Sequence, residues 1–412
     1  ACKKDKMRMN KEFFVSTFRE WRLYIETFLK WLVIASLIGG AGGLIGAIFH
    51  HSIDMAEVFR STHPWLLWLL PIAGLLIVGF YKMTRTEGLN TNHVIRAVHK
   101  GKRLSVLLMP AIFFATVLTQ LCGGSAGREG AALQMGGTIG QWIGRGLYLD
   151  DSDLRIATLA GMAAFFSALF GTPLAAAVFA VMVISIGILY HVALVPCLIA
   201  SLSAYFLAGA LGVQPVRFEV EVPEASALTF FQVGFLGILC ALVSIFFCMM
   251  MHGAEKGMRK ILPNAWLRVL AGAGIIIVLT YLCGTNDYNG VGMGVIAAAI
   301  EEGKAEPLAF LLKLVFTSVT LAAGFKGGEI VPSFFVGAAF GCVIAPIIGL
   351  PAGFGAAVGL VSVFCGVTNC PISSVFLSIE IFGAEGMLYF AVACCISYMM
   401  SGYRGIYSSQ MI

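Results

Sequence analysis

Charged side chains are scarce in this chain: Asp, Glu, Lys and Arg make up 12% of its 412 residues, and hydrophobic residues make up 59%. Soluble globular domains carry about 25% charged residues, so this composition excludes an ordinary soluble protein. The hydrophobic residues fall into many runs that approach the ~20 residues needed to cross a bilayer. Because Gly or Pro interrupts several of these runs, we expect an all-α membrane protein with tilted or discontinuous helices.

Signals for metals, cofactors and catalysis are also missing. The eleven cysteines are scattered, without a Cys-x-x-Cys pair or a His/Cys cluster of metal-ligand spacing, and we interpret them as small hydrophobic residues. The glycine-rich segment 123–130 lacks the Gly-Lys-Ser/Thr ending of a phosphate-binding loop. Since no nucleophile–base pair or cofactor fingerprint is recognised, we expect neither an enzyme nor a bound metal or cofactor.

Basic residues mark one side of the membrane. The N-terminus and the hydrophilic segments 82–103 and 252–268 are rich in Lys and Arg, whereas segment 213–226 carries three glutamates and one arginine. Lys and Arg favour cytoplasmic loops, so we predict a cytoplasmic N-terminus. Residues 1–27 lack a cleavable signal and are interpreted as a basic cytoplasmic segment with an amphipathic helix, ahead of a membrane domain over 28–412. The net charge of +5 follows from this bias, so no nucleic-acid partner is expected.

One glutamate stands where hydrocarbon is expected. Glu129 lies in the glycine-rich segment 123–130, between the apolar runs 106–121 and 131–133. A carboxylate at membrane depth costs at least ~3 kcal/mol and is retained inside protein or beside water, usually on an ion or proton path. The flanking glycines allow the backbone to leave the helix and to bring its N–H groups close to a ligand. Glu129 is therefore the first candidate functional residue.

The sequence around Glu129 is repeated in the second half of the chain. Four positions align at one offset: Gly127 with Gly328, Ala131 with Pro332, Gly136 with Gly337, and Gly140 with Gly341. Further on, segment 171–173 aligns with segment 369–371. The pattern predicts an inverted repeat with halves at about 28–212 and 227–407, whose interrupted helices meet at a substrate site near the membrane midplane.

The chemistry of such a site follows from helix ends. Converging helix N-termini carry unpaired N–H groups and about half a positive charge each, so we expect the substrate to be an anion. Alternatively, the glycines serve only to pack helices closely. Four of them fit this alternative and are expected to be packing positions: Gly136, Gly140, Gly337 and Gly341. Close packing does not explain Glu129 or Glu329.

Two motifs resemble those of the CLC family of chloride channels and proton-coupled anion antiporters. Segment 127–131 (Gly-Arg-Glu-Gly-Ala) is similar to the family's Gly-Arg-Glu-Gly-Pro, and segment 328–332 (Gly-Glu-Ile-Val-Pro) is similar to Gly-Ile/Lys-Phe-Ala-Pro. Tyr407 falls where the family has a pore-lining tyrosine. The resemblance covers about residues 28–407 and implies a CLC-type fold, a homodimer with one anion path per subunit, and Glu129 as the gating glutamate. Since the chain ends soon after Tyr407, we expect no CBS domains.

Three departures from the chloride-transporting members resemble the bacterial fluoride-exporting branch of the family, CLC-F. Segment 87–92 lacks the serine and proline of the family's Gly-Ser-Gly-Ile-Pro motif. Glu329 stands where chloride members have an apolar residue or Lys. Chloride/proton antiporters have an inner proton glutamate at about positions 182 and 183, where this chain has Met182 and Val183. A further departure points the other way, because that branch often has a hydroxyl residue at the position of Val331.

The resemblance and the chemistry of fluoride together predict an anion site. Fluoride is small and strongly hydrated, so a dry site must replace its water with several short hydrogen bonds. The candidate donors are backbone N–H groups, side-chain amides and a hydroxyl: Arg128, Gly130, Ile330, Val331, Asn90, Asn92 and Tyr407. Asn90 and Asn92 fit equally well as turn or N-cap residues after Gly88.

Two glutamates are the candidate proton carriers. Glu129 can occupy the anion site as a carboxylate and leave it when protonated, since desolvation favours the neutral acid and helix N-termini favour the carboxylate. Glu329 is the second proton-coupling candidate, replacing the missing inner glutamate; alternatively, it is a structural carboxylate paired with Lys326. We interpret Glu380 as a capping or packing residue, and His50 as an interfacial residue at the end of a span.

The predicted function is export of fluoride in exchange for protons across a bacterial inner membrane. The expected partners are fluoride, protons, the lipid bilayer and a second copy of the chain. Within the same fold, the alternative is a chloride channel or a chloride/proton exchanger. A transporter of organic anions on another inverted-repeat fold would need a dedicated intramembrane cation, and only Arg128 and Lys326 are recognised as such cations.

Overall fold

The computed structural model describes residues 2–411, with side chains described for residues 20–411. This part of the chain is nearly all helical and contains no strands, only two isolated β-bridges, which confirms the all-α expectation. Its α-helices are α1 Cys2–Thr62, α2 Leu70–Met83, α3 Thr91–Lys100, α4 Leu108–Leu121, α5 Glu129–Gly146, α6 Asp151–Phe170, α7 Pro173–Met182, α8 Leu194–Ala210, α9 Ala227–Ile261, α10 Ala265–Cys283, α11 Met293–Glu301, α12 Ala309–Ala323, α13 Ile330–Ile344, α14 Ala352–Thr368, α15 Pro371–Phe382 and α16 Met387–Ser401. Short 3₁₀ helices cover Pro64–Leu69, His191–Ala193 and Ala345–Ile348.

Seven helical segments among the described residues are long and apolar enough to cross a bilayer. They are Glu20–Thr62, Pro64–Met83, Asp151–Phe170, His191–Ala210, Ala227–Ile261, Ala265–Cys283 and Ile330–Ile348. Further apolar helices are only 10–17 residues long, namely α4, α7, α12, α14, α15 and α16. At 1.5 Å per residue these helices are shorter than the ~30 Å hydrocarbon core, so they cross part of it. The chain is a multi-pass membrane protein with the discontinuous helices that the sequence predicts.

The predicted N-terminal segment, residues 1–27, is only partly covered by the structure. Helix α1 continues without a break across its predicted boundary at residue 27. Residue 1 and the side chains of residues 2–19, which decide whether this segment is amphipathic, lie outside the described part. The boundary between this segment and the membrane domain stays a prediction.

Equivalent breaks in the two halves end one helix and start the next. Helix α6 ends at Gly171 and α14 ends at Asn369, and both residues adopt the left-handed conformation, with φ of 69° and 59°. Glycine and asparagine are the residues that most readily adopt this conformation at a helix end. A proline begins the next helix two residues later in each half, at Pro173 and at Pro371. The predicted repeat is therefore present as two matching helix breaks.

Glycines bring the repeated helices into close contact. Helix α5 packs on α6 in the first half, and α13 packs on α14 in the second. An added Cβ would overlap a backbone carbonyl at all four predicted packing positions: Gly136 against Gly161, Gly140 against Ala157, Gly337 against Gly359, and Gly341 against Gly355. The expectation that these glycines pack helices is confirmed.

Glu380 joins the two halves. Its carboxylate, near the end of α15, accepts hydrogen bonds of 2.9 Å from the backbone N–H groups of Leu174 and Ala175 in the first turn of α7. These N–H groups have no partner within their own helix, and a carboxylate there also complements the helix dipole. The interpretation of Glu380 as a capping residue is confirmed.

Gly136→Ala is expected to destabilise the protein by about 1–3 kcal/mol, because the new methyl group meets the backbone of α6, which cannot yield without shifting the helix. Gly274→Ala on α10 is the matched control, since an added Cβ there meets nothing within 4 Å. Thermal unfolding of both variants in detergent, followed by size-exclusion recovery, measures the difference. A melting temperature of Gly136→Ala equal to that of the control would contradict the packing role.

Candidate functional site

The two glycine-interrupted segments meet where α5 begins at Glu129 and α13 begins at Ile330. Just before these helices, Gly127 and Gly328 exchange two backbone hydrogen bonds of 2.7 Å, which tie the two helix starts together. A side chain at Gly328 would overlap the backbone nitrogen of Gly130, so this close approach requires glycine. The repeat thus brings two helix N-termini to one junction, with N–H groups that have no partner within their own helix.

The carboxylate of Glu129 lies at this junction and has no exposed surface. Its Oε2 accepts hydrogen bonds from the backbone N–H of Arg128 at 3.0 Å and of Val331 at 3.3 Å. One donor comes from each half of the repeat, so the carboxylate bridges the two helix starts. Its Oε1 accepts no hydrogen bond from the described residues. The carboxyl group of Glu129 therefore accepts the N–H donors that the sequence predicts for an anion.

Glu329 approaches the same junction from a cavity of about 520 Å³. The side chain is half-buried, and its Oε2 has no hydrogen-bond partner among the described residues. An ideal Cβ on Gly130 would lie 3.2 Å from this oxygen, so the carboxylate reaches the first turn of α5. The two predicted proton carriers are therefore brought together, one sealed in the junction and the other facing the cavity.

Lys326 lines the cavity without pairing to Glu329. Its Nζ lies 4.5 Å from the centre of the Tyr81 ring, a cation–π contact, and no ion pair joins it to a carboxylate within the described part. The alternative reading of Glu329 as one half of a structural ion pair is therefore wrong for this structure. The sequence contains the lysine three residues before Glu329, but only the fold turns the two side chains apart.

Asn90 and Asn92 line the same cavity, near the start of α3. Asn90 is the N-cap of this helix, and its Oδ1 accepts a hydrogen bond from the His93 N–H at 3.2 Å, which confirms the capping alternative. The Oδ1 of Asn92 accepts from the Ser409 N–H at 3.0 Å. Both oxygens are therefore used, whereas neither Nδ2 group donates to a described residue. A role of these amides as anion donors stays a prediction.

Tyr407 is buried and also lines the cavity. Its hydroxyl has no hydrogen-bond partner among the described residues, which is unusual for a buried tyrosine. The segment that carries it is fixed by backbone bonds from Ile406 N–H to Val367 and from Met411 N–H to Ile184. The predicted hydroxyl donor thus lines the same cavity as Glu329 and is held there by a segment outside both helix starts.

The remaining predicted donors are at the junction itself. Ile330 and Val331 are fully buried, and the Val331 N–H is the one that reaches Glu129. The carbonyl of Gly130 accepts a hydrogen bond of 3.1 Å from Gln134, one turn further along α5. Sequence reasoning overlooked Gln134, although a glutamine four residues after Gly130 in a helix of small and apolar residues was a usable signal.

Arg128 directs its guanidinium away from the cavity. Nη1 lies 2.8 Å from Nδ1 of His50 and 3.3 Å from Oδ1 of Asp54, both on α1. The interpretation of His50 as an interfacial residue is wrong, because it is nearly buried and bound to Arg128. Seventy-eight residues separate the two in the chain, so no local pattern could have revealed the contact.

Two further cations, Lys313 and the half-buried Arg60, correct the sequence interpretation of intramembrane charge. Lys313 on α12 is fully buried, and its Nζ donates to the carbonyls of Tyr288 at 3.2 Å and Gly290 at 2.8 Å. Arg60 donates to the carbonyl of Gln120 at 2.7 Å. Both cations bind backbone carbonyls of this chain, so they hold loops in place and do not supply the dedicated cation that an organic-anion site would need.

The groups at the junction define its chemistry. No set of three or more His, Cys, Asp or Glu side chains within the described residues comes together as a metal site. The converging groups are two carboxylates, backbone N–H donors and the hydroxyl of Tyr407. This arrangement can bind a small anion through N–H and O–H donors, in competition with a carboxylate that protonation neutralises.

Comparison with known proteins agrees with this arrangement. The family described as voltage gated chloride channel matches residues 72–402, more than half of the chain. A chloride/fluoride channel protein of Pseudomonas syringae pv. tomato is 35% identical over 393 residues, covering 93% of this chain and 86% of the relative.

Solved structures resemble the whole fold. The crystal structure of a CLC-type fluoride/proton antiporter matches with a TM-score of 0.90 at 30% identity, over 93% of this chain and 98% of that one. The structure of a slow cyanobacterial Cl⁻/H⁺ antiporter shares the fold with a TM-score of 0.80 at 20% identity, over 92% and 96% of the two chains. Together, the matched family, the curated relative and the junction of repeated helix starts show that this chain belongs to the CLC family of voltage-gated chloride channels and related antiporters.

Proposed function

We propose that this chain exports fluoride in exchange for protons, with Glu129 as the gate and first proton carrier and Glu329 as the second. The observation that carries the proposal is the presence of two carboxylates at one junction of helix starts. The carboxylate of Glu129 accepts N–H groups from both halves and so stands in for an anion. Protonation removes its charge and weakens both hydrogen bonds, which leaves the same N–H groups available to fluoride.

The positions of the two glutamates give the exchange a direction. Glu129 is sealed, whereas Glu329 faces a cavity that also contains residues of the basic segments 82–103 and 252–268. If these segments are cytoplasmic, Glu329 exchanges protons with the cytoplasm. A proton taken up by Glu129 from outside then passes inward as fluoride moves outward. Lys326 and the arginines that line the cavity would concentrate anions at its mouth.

Selectivity for fluoride is supported by the relatives and by the site composition. A relative at 35% identity is described as a chloride/fluoride channel protein, and a structure at 30% identity is a fluoride/proton antiporter. Glu329 and the asparagines at positions 90 and 92 distinguish this cavity from the serine-containing motif of chloride members. The second candidate function is a chloride channel or chloride/proton exchanger, favoured by the family description and by Val331, which lacks a hydroxyl.

We also propose the setting in which the exchange takes place. The family resemblance supports a homodimer with one path in each subunit, and the bacterial relative supports a location in the inner membrane. The distribution of Lys and Arg supports a cytoplasmic N-terminus.

Proteoliposomes loaded with fluoride test the function. With valinomycin and potassium clamping the membrane potential, we expect fluoride to leave while protons enter, and chloride to leave much more slowly. The sign of the pH change is decisive, because a passive leak of HF carries protons out with fluoride, whereas antiport carries them in. A fluoride electrode and a pH electrode record both fluxes. Chloride efflux as fast as fluoride efflux would favour the second candidate function.

Glu129→Gln is expected to lower proton uptake by about 100-fold or more, because an amide cannot titrate and so cannot carry protons. A control variant on the same helix must not add a charge, which excludes Gln134→Glu and Gln141→Glu. Thr138→Ala on the same helix is the control, because its hydroxyl bonds only to the Gln134 carbonyl. Both fluxes are measured in the same liposomes. Stoichiometric proton uptake in Glu129→Gln would contradict the gating role.

Glu329→Gln is expected to slow coupled exchange by about 10-fold or more, because the inner half of the proton path loses its titrating group. Glu255→Gln is the matched control: its carboxylate lines the same cavity but pairs with Arg259 at 2.8 Å. Fluoride and proton fluxes are compared at equal amounts of folded protein, judged by size-exclusion chromatography. Wild-type turnover in Glu329→Gln would show that its carboxylate is structural.

A further inference from the structure

A line of polar contacts leads from Glu129 toward the membrane surface opposite the cavity. Side-chain exposure rises along it, from 0% at Glu129 to 7% at Arg128, 11% at His50 and 47% at Asp54. Asp54 lies eight residues before the end of α1. Three residues further along the same helix, Glu57 accepts a hydrogen bond from the Val291 N–H, in the loop after α10. Helix α10 starts beside the cavity and is 19 residues long, about 28 Å, so this loop lies on the far side.

The hydrogen bonds along this line define the charge state of His50. A guanidinium only donates, so Nδ1 of His50, 2.8 Å from Nη1 of Arg128, must be the acceptor and carries no proton. Nε2 then carries the proton and donates to Oδ2 of Asp54 at 3.0 Å. His50 is therefore neutral in this arrangement. Adding a proton at Nδ1 would set two positively charged donors against each other and break the contact with Arg128.

A second partner for Arg128 stands within reach. Its Nε is buried and has no hydrogen-bond partner among the described residues, and the same is true of Oε1 of Glu129. These two atoms are 3.9 Å apart, too far for a hydrogen bond but close enough that a small movement of the guanidinium would make one. A charge-assisted bond formed there would compete with the bond from Val331 that holds Glu129 in the junction.

Few other charges act on His50. Its own helix contributes Asp54 and His51. The ring centre of His51 is 5.7 Å away, and its Nε2 contacts the Leu211 carbonyl. The start of α5 contributes Glu129, and Arg128 immediately precedes this helix. Helix α4 carries no titratable side chain, and α8 carries only uncharged Cys197 and Tyr205. The charged residues of α6 lie in its first turns, on the side of the membrane where Asp153 binds Lys30 near the start of the span.

The geometry points to His50 and Asp54 as positioning residues that act through Arg128 to make the gate responsive to external acid. With His50 neutral, the pair holds the guanidinium away from Glu129. When external acid protonates His50, the guanidinium transfers to Oε1 of Glu129 and draws the carboxylate away from Val331. This inference rests on the proposed function of Glu129 as the gate, and it adds a sensor on the outer side.

His50→Gln tests this role, because glutamine retains a polar side chain but does not titrate. Exchange is measured in right-side-out and inside-out vesicles while the pH on one side is varied and the other is held constant. We expect exchange by the wild type to accelerate as the external pH is lowered, because a proton added at Nδ1 of His50 breaks its contact with Arg128. The acceleration in His50→Gln should be about tenfold smaller than in the wild type, because one charge-assisted hydrogen bond contributes about this factor.

His51→Gln is the matched control, since it removes the neighbouring imidazole, which does not contact Arg128. External pH also acts directly on Glu129, and the difference between the two variants removes that common effect. Asp54→Asn provides a second variant at a half-exposed position, and it should change the external pH profile while leaving the internal one unchanged. Equal external profiles in His50→Gln and His51→Gln would overturn the inference. Absence of fluoride/proton exchange in the wild type would instead overturn the proposed function.

Discussion

The rest of the site depends on one constraint: inside a bilayer, every backbone N–H that leaves a helix must find a partner within the protein. At the junction, two helices start at membrane depth, and their glycines tie them together through paired bonds between Gly127 and Gly328. Nearby N–H groups at the two helix starts, those of Arg128 and Val331, donate to the carboxylate of Glu129. The proposed anion site therefore results from a helix start in each half whose backbone N–H groups need a partner.

The inverted repeat also explains why equivalent positions serve opposite sides. Arg128 and Glu329 occupy the same place, as the residues immediately before α5 and α13. Because the halves are inverted, the Arg128 side chain runs toward His50 and Asp54, and the Glu329 side chain faces the cavity. One repeat position thus supplies a cation on one side of the junction and a carboxylate on the other, which suits an exchange of anions against protons.

Local sequence signals predicted those parts of the fold that depend on local chemistry. Gly171 and Asn369, each with a proline two residues later, marked equivalent helix breaks. The spaced glycines marked the close helix contacts. The cap formed by Asn90 was one of two local readings, because an asparagine amide can serve the start of its own helix or a ligand. Sequence alone could not choose between these two roles of Asn90. It also could not show that Lys326, three residues from Glu329, makes a cation–π contact with Tyr81 instead of an ion pair with that glutamate.

By itself, the sequence determined the membrane class, the repeat and the position of Glu129, because hydropathy, glycine spacing and a costly buried charge are all visible along the chain. Only the tertiary structure decided which side chains surround that glutamate. His50 reaches Arg128 across 78 residues, and Lys313 donates hydrogen bonds to carbonyls 23 and 25 residues away. Such contacts arise when distant helices pack, and no periodicity in the chain encodes which polar groups then face each other.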